Sequence, residues 1–270
     1  MSKDECEIKM QTPIWQTQFG DGPLVAAAIH DGHAVRDELV ERFALDENGR
    51  LREEDPFTGL WTAAAPTRIV GMRSRFEIDL NRPREKAVYL RPEDAWGLNV
   101  WKEPLSEETV ARSLAEWDDF YDHVGGLLTR LAARHRHVVV FDLHGYNHRR
   151  AGADAPEDDP RANPQVNIGT GTMNRQRWAP IVERCIEALR QFDYQGGRLD
   201  VRENVKFRGG HFPGWIHQQF PDRVCAVAIE LKKFFMDEWT GHPHQDHLYA
   251  IGQALQSAAG AVGEELQRLE

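Results

Sequence analysis

Cysteine is scarce in this 270-residue chain: Cys6, Cys185 and Cys225 are widely spaced, odd in number and form no CxxC pair. That excludes a disulfide framework and a thiolate metal site, and it suits a reducing compartment. Basic charge is also in deficit. The 33 Lys and Arg against 43 Asp and Glu leave a formal net charge of -10. Nucleic acid and anionic membranes are bound through a basic footprint, so neither is expected as a partner. No apolar run approaches the ~20 residues of a membrane span. The opening MSKDECEIKMQTP is charged and lacks the hydrophobic core of a signal peptide. HExxH, GxSxG, a Walker A loop and a strand-linked GxGxxG are all missing, which sets aside the commonest metalloprotease, serine hydrolase, nucleotide and dinucleotide chemistries.

What is present describes an acidic, globular, cytoplasmic protein. Hydrophobic residues make up 41% and charged ones 28%, and the length suits one large domain. Four short apolar runs, PLVAAAI (23–29), TRIVGM (67–72), HVVVFDL (137–143) and VCAVAIEL (224–231), lack polar alternation, as strands covered on both faces do. Between them, 106–134, 174–192 and 245–269 repeat apolar residues every three or four positions, the period of an amphipathic helix. Ser106 is placed to cap the first, with Glu107 and Glu108 in its positive first turn. Alternating strands and helices predict an α/β domain with a mostly parallel sheet. The polar stretches 146–172 and 202–221 read as long loops, a length that is usually functional or disordered.

In open α/β sheets, ligands bind beyond the carboxyl ends of the strands, and each run here hands off to chemistry-bearing residues. His30 and His33 follow the first, flanking Gly32, at a spacing that lets two imidazoles reach one ion or simply hydrogen-bond the loop. Asp142 and His144 end the third, with Asp142 suited to orient the histidine. Asp79, Asn81 and Arg82 offer a carboxylate, an amide and a guanidinium, either a clamp for a substrate carboxylate or a surface salt-bridge cluster. Glu230 lies inside the last apolar run. A carboxylate there is costly unless paired, neutral or functional, so it is a general base or a buried ion pair with Lys232, Lys233 or Arg208.

Four segments then match a known pattern in order: Arg75-Phe76-Glu77-Ile78-Asp79-Leu80-Asn81-Arg82-Pro83, Val140-Phe141-Asp142-Leu143-His144, Asn204-Val205-Lys206-Phe207-Arg208-Gly209-Gly210, and Ile229-Glu230-Leu231 with Met236-Asp237-Glu238. Together they resemble the N-formylglutamate amidohydrolases, relatives of the aspartoacylases and zinc carboxypeptidases, from about His30 to Trp239. The resemblance implies a three-layer α/β/α fold with a mixed, mostly parallel central sheet, zinc-carboxypeptidase-like, with residues 1–270 as a single domain. It implies one divalent metal ion, zinc by donor type, held by His30, His144 and a third ligand. His33 stands where carboxypeptidases place a Glu, and Glu77 and Asp55 are the alternatives. Asn81, Arg82 and Arg208 would bind the substrate, Glu230 would act as base toward a metal-activated water, and Asp79 and Asp142 would support the ligands. The implied substrate is N-formyl-L-glutamate or a related carboxylate-bearing N-acyl amino acid. Alternatives are a non-catalytic carboxylate- or metal-binding protein of the same fold and a metal-dependent phosphoesterase. The family's motif reads His-Ser-Gly where this chain has His30-Asp31-Gly32, which puts an extra acid beside the expected site.

Overall fold

The computed structural model describes residues 12–269; the charged opening segment with Cys6 lies outside the described residues. Among the described residues, seven strands form one sheet, in the spatial order β1 (Trp15–Gln18), β3 (Thr67–Gly71), β2 (Leu24–Ala28), β4 (Val138–Tyr146), β7 (Val224–Lys232), β5 (Val166–Gly169) and β6 (Val201–Glu203). Its middle is built from the four apolar runs. Strands β2, β3, β4 and β7 pair in parallel. Strand β1 closes one edge antiparallel to β3. At the other side β5 runs antiparallel to β7 and parallel to β6. The sheet is therefore mixed, with a parallel centre.

Three short helices, α1 (Asp37–Val40), α2 (Glu47–Glu53) and α3 (Thr58–Trp61), lie between β2 and β3 in the chain. Side-chain alternation divides the core into two layers. Leu24 and Ala26 of β2, Val139 and Phe141 of β4, and Val227 and Ile229 of β7 pack beneath α5 (Ala179–Gln191) and α7 (Gln245–Arg268). The opposite residues Val25, Ala27, Val138, Val140 and Ala226 pack beneath α4 (Glu107–Arg134) and α6 (His211–Gln219). This is the expected three-layer arrangement. Helix α4 buries Trp117, Phe120, Tyr121, Val124 and Leu128 on one stripe, and Ser106 caps it by accepting the Thr109 N–H at 3.2 Å. No helix among the described residues is long and apolar enough to cross a membrane.

Three local expectations differ from what is found. Helix α5 starts at Ala179 instead of near 174, because Pro180 has no N–H to give and fits only in a first turn. Strand β4 continues past Leu143 through His144 to Tyr146. The two polar stretches also hold regular structure, β5 and α6. Four buried residues make too short a run to stand out, and Pro213 and Gly214 dilute the helical pattern of the second.

Candidate active site

The carboxyl ends of β2, β4 and β7 open into a cavity of about 490 Å³. The chain leaves β2 through His30 and turns at Gly32. A Cβ at Gly32 would lie 2.2 Å from the Met72 carbonyl carbon, so only glycine lets this turn pass against the end of β3. The segment 52–55 then docks on the turn, with the Asp55 N–H donating to the His30 carbonyl at 2.9 Å. From the sheet itself, β4 brings Asp142 and His144. Their side chains share the face of Val138 and Val140, by the two-residue period of a strand.

His30, Asp55 and His144 come together there, all buried, with one potential ligand atom from each within 4.8 Å of the others. The Asp55 carboxylate lies 2.9 Å from His144 Nδ1 and 3.5 Å from His30 Nδ1. The far nitrogen of each ring is held by a second carboxylate: His30 Nε2 by Asp79 at 2.7 Å and His144 Nε2 by Asp142 at 2.9 Å. Asp79 is itself fixed by Arg75 at 2.9 Å, by the Asn81 N–H at 2.8 Å and by the Tyr89 hydroxyl. His30 Nδ1 has no hydrogen-bond partner although it is buried. A buried imidazole nitrogen aimed at a carboxylate and a second imidazole, with its other nitrogen tied to an acid, is what a cation ligand looks like before the cation is counted. The donor set of two imidazoles and a carboxylate fits a divalent ion, and zinc in particular.

The electrostatics follow from burial and from the crowding of acids. Burial would raise the Asp55 pKa, but the hydrogen bond from His144 and the nearby His30 ring outweigh it and hold the carboxylate well below its usual range. Burial also opposes a charge on His144, yet Asp142, Glu230 and Asp55 hold its pKa well above the ordinary value. Burial would raise Asp79 as well, but Arg75 and His30 keep it strongly depressed. Glu230 differs. Desolvation pushes it up to about 7, only partly offset by His144. It lies directly across the β4–β7 ladder from His144, and it makes no ion pair among the described residues. Lys232 turns instead to Glu157 at 3.0 Å, and Lys233 donates to backbone carbonyls.

The remaining expected residues fall as follows. Asn81, Arg82 and Arg208 all line the cavity. Asn81 Oδ1 accepts the Phe212 N–H at 2.9 Å, at the start of α6. A Cβ on Gly210 would lie 2.3 Å from that amide oxygen, so the glycine makes room for Asn81. The loop bearing Arg208 is shaped by Asn167, whose oxygen accepts the Val205 and Lys206 N–H groups and whose amide donates to the Phe207 carbonyl. Glu238 receives the His148 and Arg149 N–H groups and so ties down the exit of β4.

His33 is not part of the trio. Its Nδ1 is bonded to Glu54 and its Nε2 lies 3.4 Å from Glu47 at the surface, because the chain turns at Gly32 between the two histidines. Glu77 also faces elsewhere, accepting from Arg73 at 2.8 Å and from the Arg36 N–H at 2.8 Å. Asp31, the extra acid, accepts the Gly59 N–H at 2.9 Å and is not among the cavity's lining residues. Residues not singled out from the sequence also line the cavity: Trp96, stacked over Arg75 at 4.9 Å, and Arg150. Lys233, considered there only as an ion-pair partner of Glu230, lines it too.

The fold and the cavity thus define an α/β protein with a buried, cation-ready imidazole–carboxylate cluster at its strand ends. The chain belongs to the N-formylglutamate amidohydrolase family, whose sequence profile matches residues 22–236. Among solved structures, an N-formylglutamate amidohydrolase from Ralstonia eutropha aligns with a TM-score of 0.75 at 17% identity, over 96% of this chain and 100% of that one. A gene product of Agrobacterium tumefaciens aligns with a TM-score of 0.67 at 17% identity, over 96% of each chain. Likeness at such identity establishes the shared fold. A metallo-carboxypeptidase from Burkholderia cenocepacia aligns more distantly, with a TM-score of 0.41 at 14% identity over 95% of this chain and 61% of that one. No match is found among curated proteins.

Proposed function

We propose that this protein hydrolyses the amide bond of a carboxylate-bearing N-acyl amino acid, N-formyl-L-glutamate first among them, to formate and glutamate. The observation that carries the reading is the placement of Glu230. An unpaired, buried carboxylate faces the same cavity as the His30–Asp55–His144 trio and as two guanidinium groups, Arg82 and Arg208.

His30 and His144, through Nδ1, and Asp55 would hold a divalent ion, with Asp55 in the role that His33 does not reach. Such an ion supplies Lewis acidity, polarising a carbonyl oxygen and making water a stronger acid. Asp79 and Asp142 fix the two imidazoles in orientation and tautomer. Arg82, Arg208 and Asn81 grip the substrate carboxylate, which confines the amide near Glu230 and makes attack effectively intramolecular. Glu230 takes a proton from the attacking water and gives it to the leaving nitrogen. A pKa near 7 serves both halves of that transfer.

The test is metal content of the purified protein beside hydrolysis of N-formyl-L-glutamate, before and after chelation. About one zinc-like ion per chain, with turnover lost on chelation and restored by metal, supports the reading. Bound metal with turnover only on other N-acyl amino acids moves the question to the acyl group. Ligand binding with no turnover on any such substrate would make the protein a carboxylate binder and refute it.

A further inference from the structure

Lys233 is almost fully buried, 1% exposed, just beyond the end of β7. Its N–H donates to the Tyr146 carbonyl at 2.9 Å, so its backbone is anchored to the end of β4. Its ammonium reaches across the cavity floor and donates to two carbonyls of another segment, Arg52 O at 2.6 Å and Glu54 O at 2.7 Å. No carboxylate of the described residues lies within ion-pair distance of it. A buried ammonium spent on backbone carbonyls is expensive to desolvate, and the neutral lysine-free alternative, an apolar side chain of similar volume, would pack there without that penalty. What the ammonium does provide is a pair of charge-assisted hydrogen bonds, each about twice the strength of a neutral one. Both land on the segment that ends in Asp55.

Other contacts hold that segment through its side chains and at the Glu53 and Asp55 carbonyls, which accept from Arg75 and Thr58. Residues 47–53 form a short helix, and the chain then becomes extended at Glu54. Asp55 is tied at its N–H to His30 O, and Glu54 at its carboxylate to His33 and Ser74. The Lys233 ammonium joins the backbone of this segment to the residue that follows β7, the strand that carries Glu230, and Arg52 adds a side-chain link further on, to Glu238 at 3.2 Å. We propose that Lys233 is a positioning residue for Asp55: by clamping the Arg52 and Glu54 carbonyls it fixes the Asp55 carboxylate against the His30 and His144 imidazoles. The inference rests on the reading of those three residues as cation donors.

The experiment measures zinc affinity of the metal-free protein, by competition with a chromophoric chelator, at a temperature where circular dichroism shows every variant folded. Lys233→Met removes all donors, and Lys233→Gln keeps an amide that can satisfy one carbonyl. Zinc should bind about tenfold to a hundredfold more weakly to Lys233→Met, the range for loss of a group that orients a ligand, with Lys233→Gln between it and the parent. Val262→Ala, a cavity in the core beneath α7, controls for destabilisation alone: it should lower the melting temperature and leave zinc affinity unchanged. If Lys233→Met does not fold, Lys233→Gln decides. Unchanged zinc affinity in a folded Lys233 variant, with only the melting temperature reduced, overturns the inference and leaves the donor reading standing. A parent chain that takes up no zinc refutes the donor reading and this inference with it.

Discussion

Acidifying the metal-free protein from pH 7 to pH 5 should cost it about 2 kcal/mol through one side chain, His217. The ring lies on α6 and is 7% exposed. Its Nε2 accepts the Ala226 N–H of β7 at 3.0 Å, so the proton sits on Nδ1, which faces Thr172 Oγ1 at 3.1 Å. A second proton would convert the accepting nitrogen into a donor pointed at a donor. Burial accordingly pulls the pKa from 6.5 down to about 4. In the unfolded chain the ring takes up its proton near pH 6.5, whereas the folded chain refuses it until about pH 4. The unfolded state therefore binds more protons across that window, and stability falls as pH falls. The contribution is fully present above pH 6.5 and lost by pH 4, about 3 kcal/mol in all at ~1.4 kcal/mol per pKa unit. Urea unfolding followed by tryptophan fluorescence, in chelator, reads it at pH 7 and pH 5 for the parent and for His217→Gln, which can accept the Ala226 N–H but does not titrate. Carboxylates titrate in both proteins, so the difference between the two pH slopes isolates the ring. The variant should lose about 2 kcal/mol less than the parent. Equal slopes would refute the claim that the fold holds His217 neutral.

Other expectations concern the cavity. Asp55→Ala should abolish metal retention by elemental analysis while His33→Ala keeps it; the reverse pattern would restore His33 as the third donor. Glu230→Gln should keep its metal and lose about 10²–10⁴-fold in kcat on N-formyl-L-glutamate, and a variant with undiminished kcat would remove Glu230 from the chemistry. Arg82→Met should lower kcat/KM about 10–100-fold, mostly through KM, as expected for one charge-assisted contact of about 1.5–3 kcal/mol. Comparing the loss with that on an acylated amine lacking the carboxylate checks it, since that substrate should be indifferent to the change.

The parallel centre of the sheet was legible because β2, β4 and β7 are buried on both faces and read as dense apolar runs, with β3 buried at alternate positions beside them. The cavity residues at their ends were legible for the same reason: His30, His144 and Glu230 each interrupt or follow such a run. His33 was misplaced because sequence spacing says how close two side chains can come and nothing of which way a turn sends them. Asp55 was harder to see. Arg52-Glu53-Glu54-Asp55 looks like a solvated charge run, yet Glu54 is 0% and Asp55 2% exposed, since His33, the two cavity histidines and the Lys233 ammonium partner its carboxylates and carbonyls from three different parts of the chain. Burial of that kind is a tertiary property with no local signature. The continuation of β4 through His144 was hidden likewise, because its polar residues pair with β7 by backbone bonds that side-chain type does not report.

That continuation makes the spacing between His144 and Glu230 a property of the hydrogen-bond ladder. Neighbouring parallel strands stand about 4.8 Å apart, and nine paired positions hold this register from Val138↔Val224 to Tyr146↔Lys232. The site should therefore be tolerant of substitutions that trim side chains along β4 and β7 and intolerant of a single inserted or deleted residue in either. A one-residue slip would carry every later side chain to the opposite face, sending Glu230 into the layer beneath α5 and α7 and Ile229 or Leu231 into the cavity. Length changes among its relatives should then collect in the mostly exposed 149–162 excursion, leaving β4 and β7 at constant length.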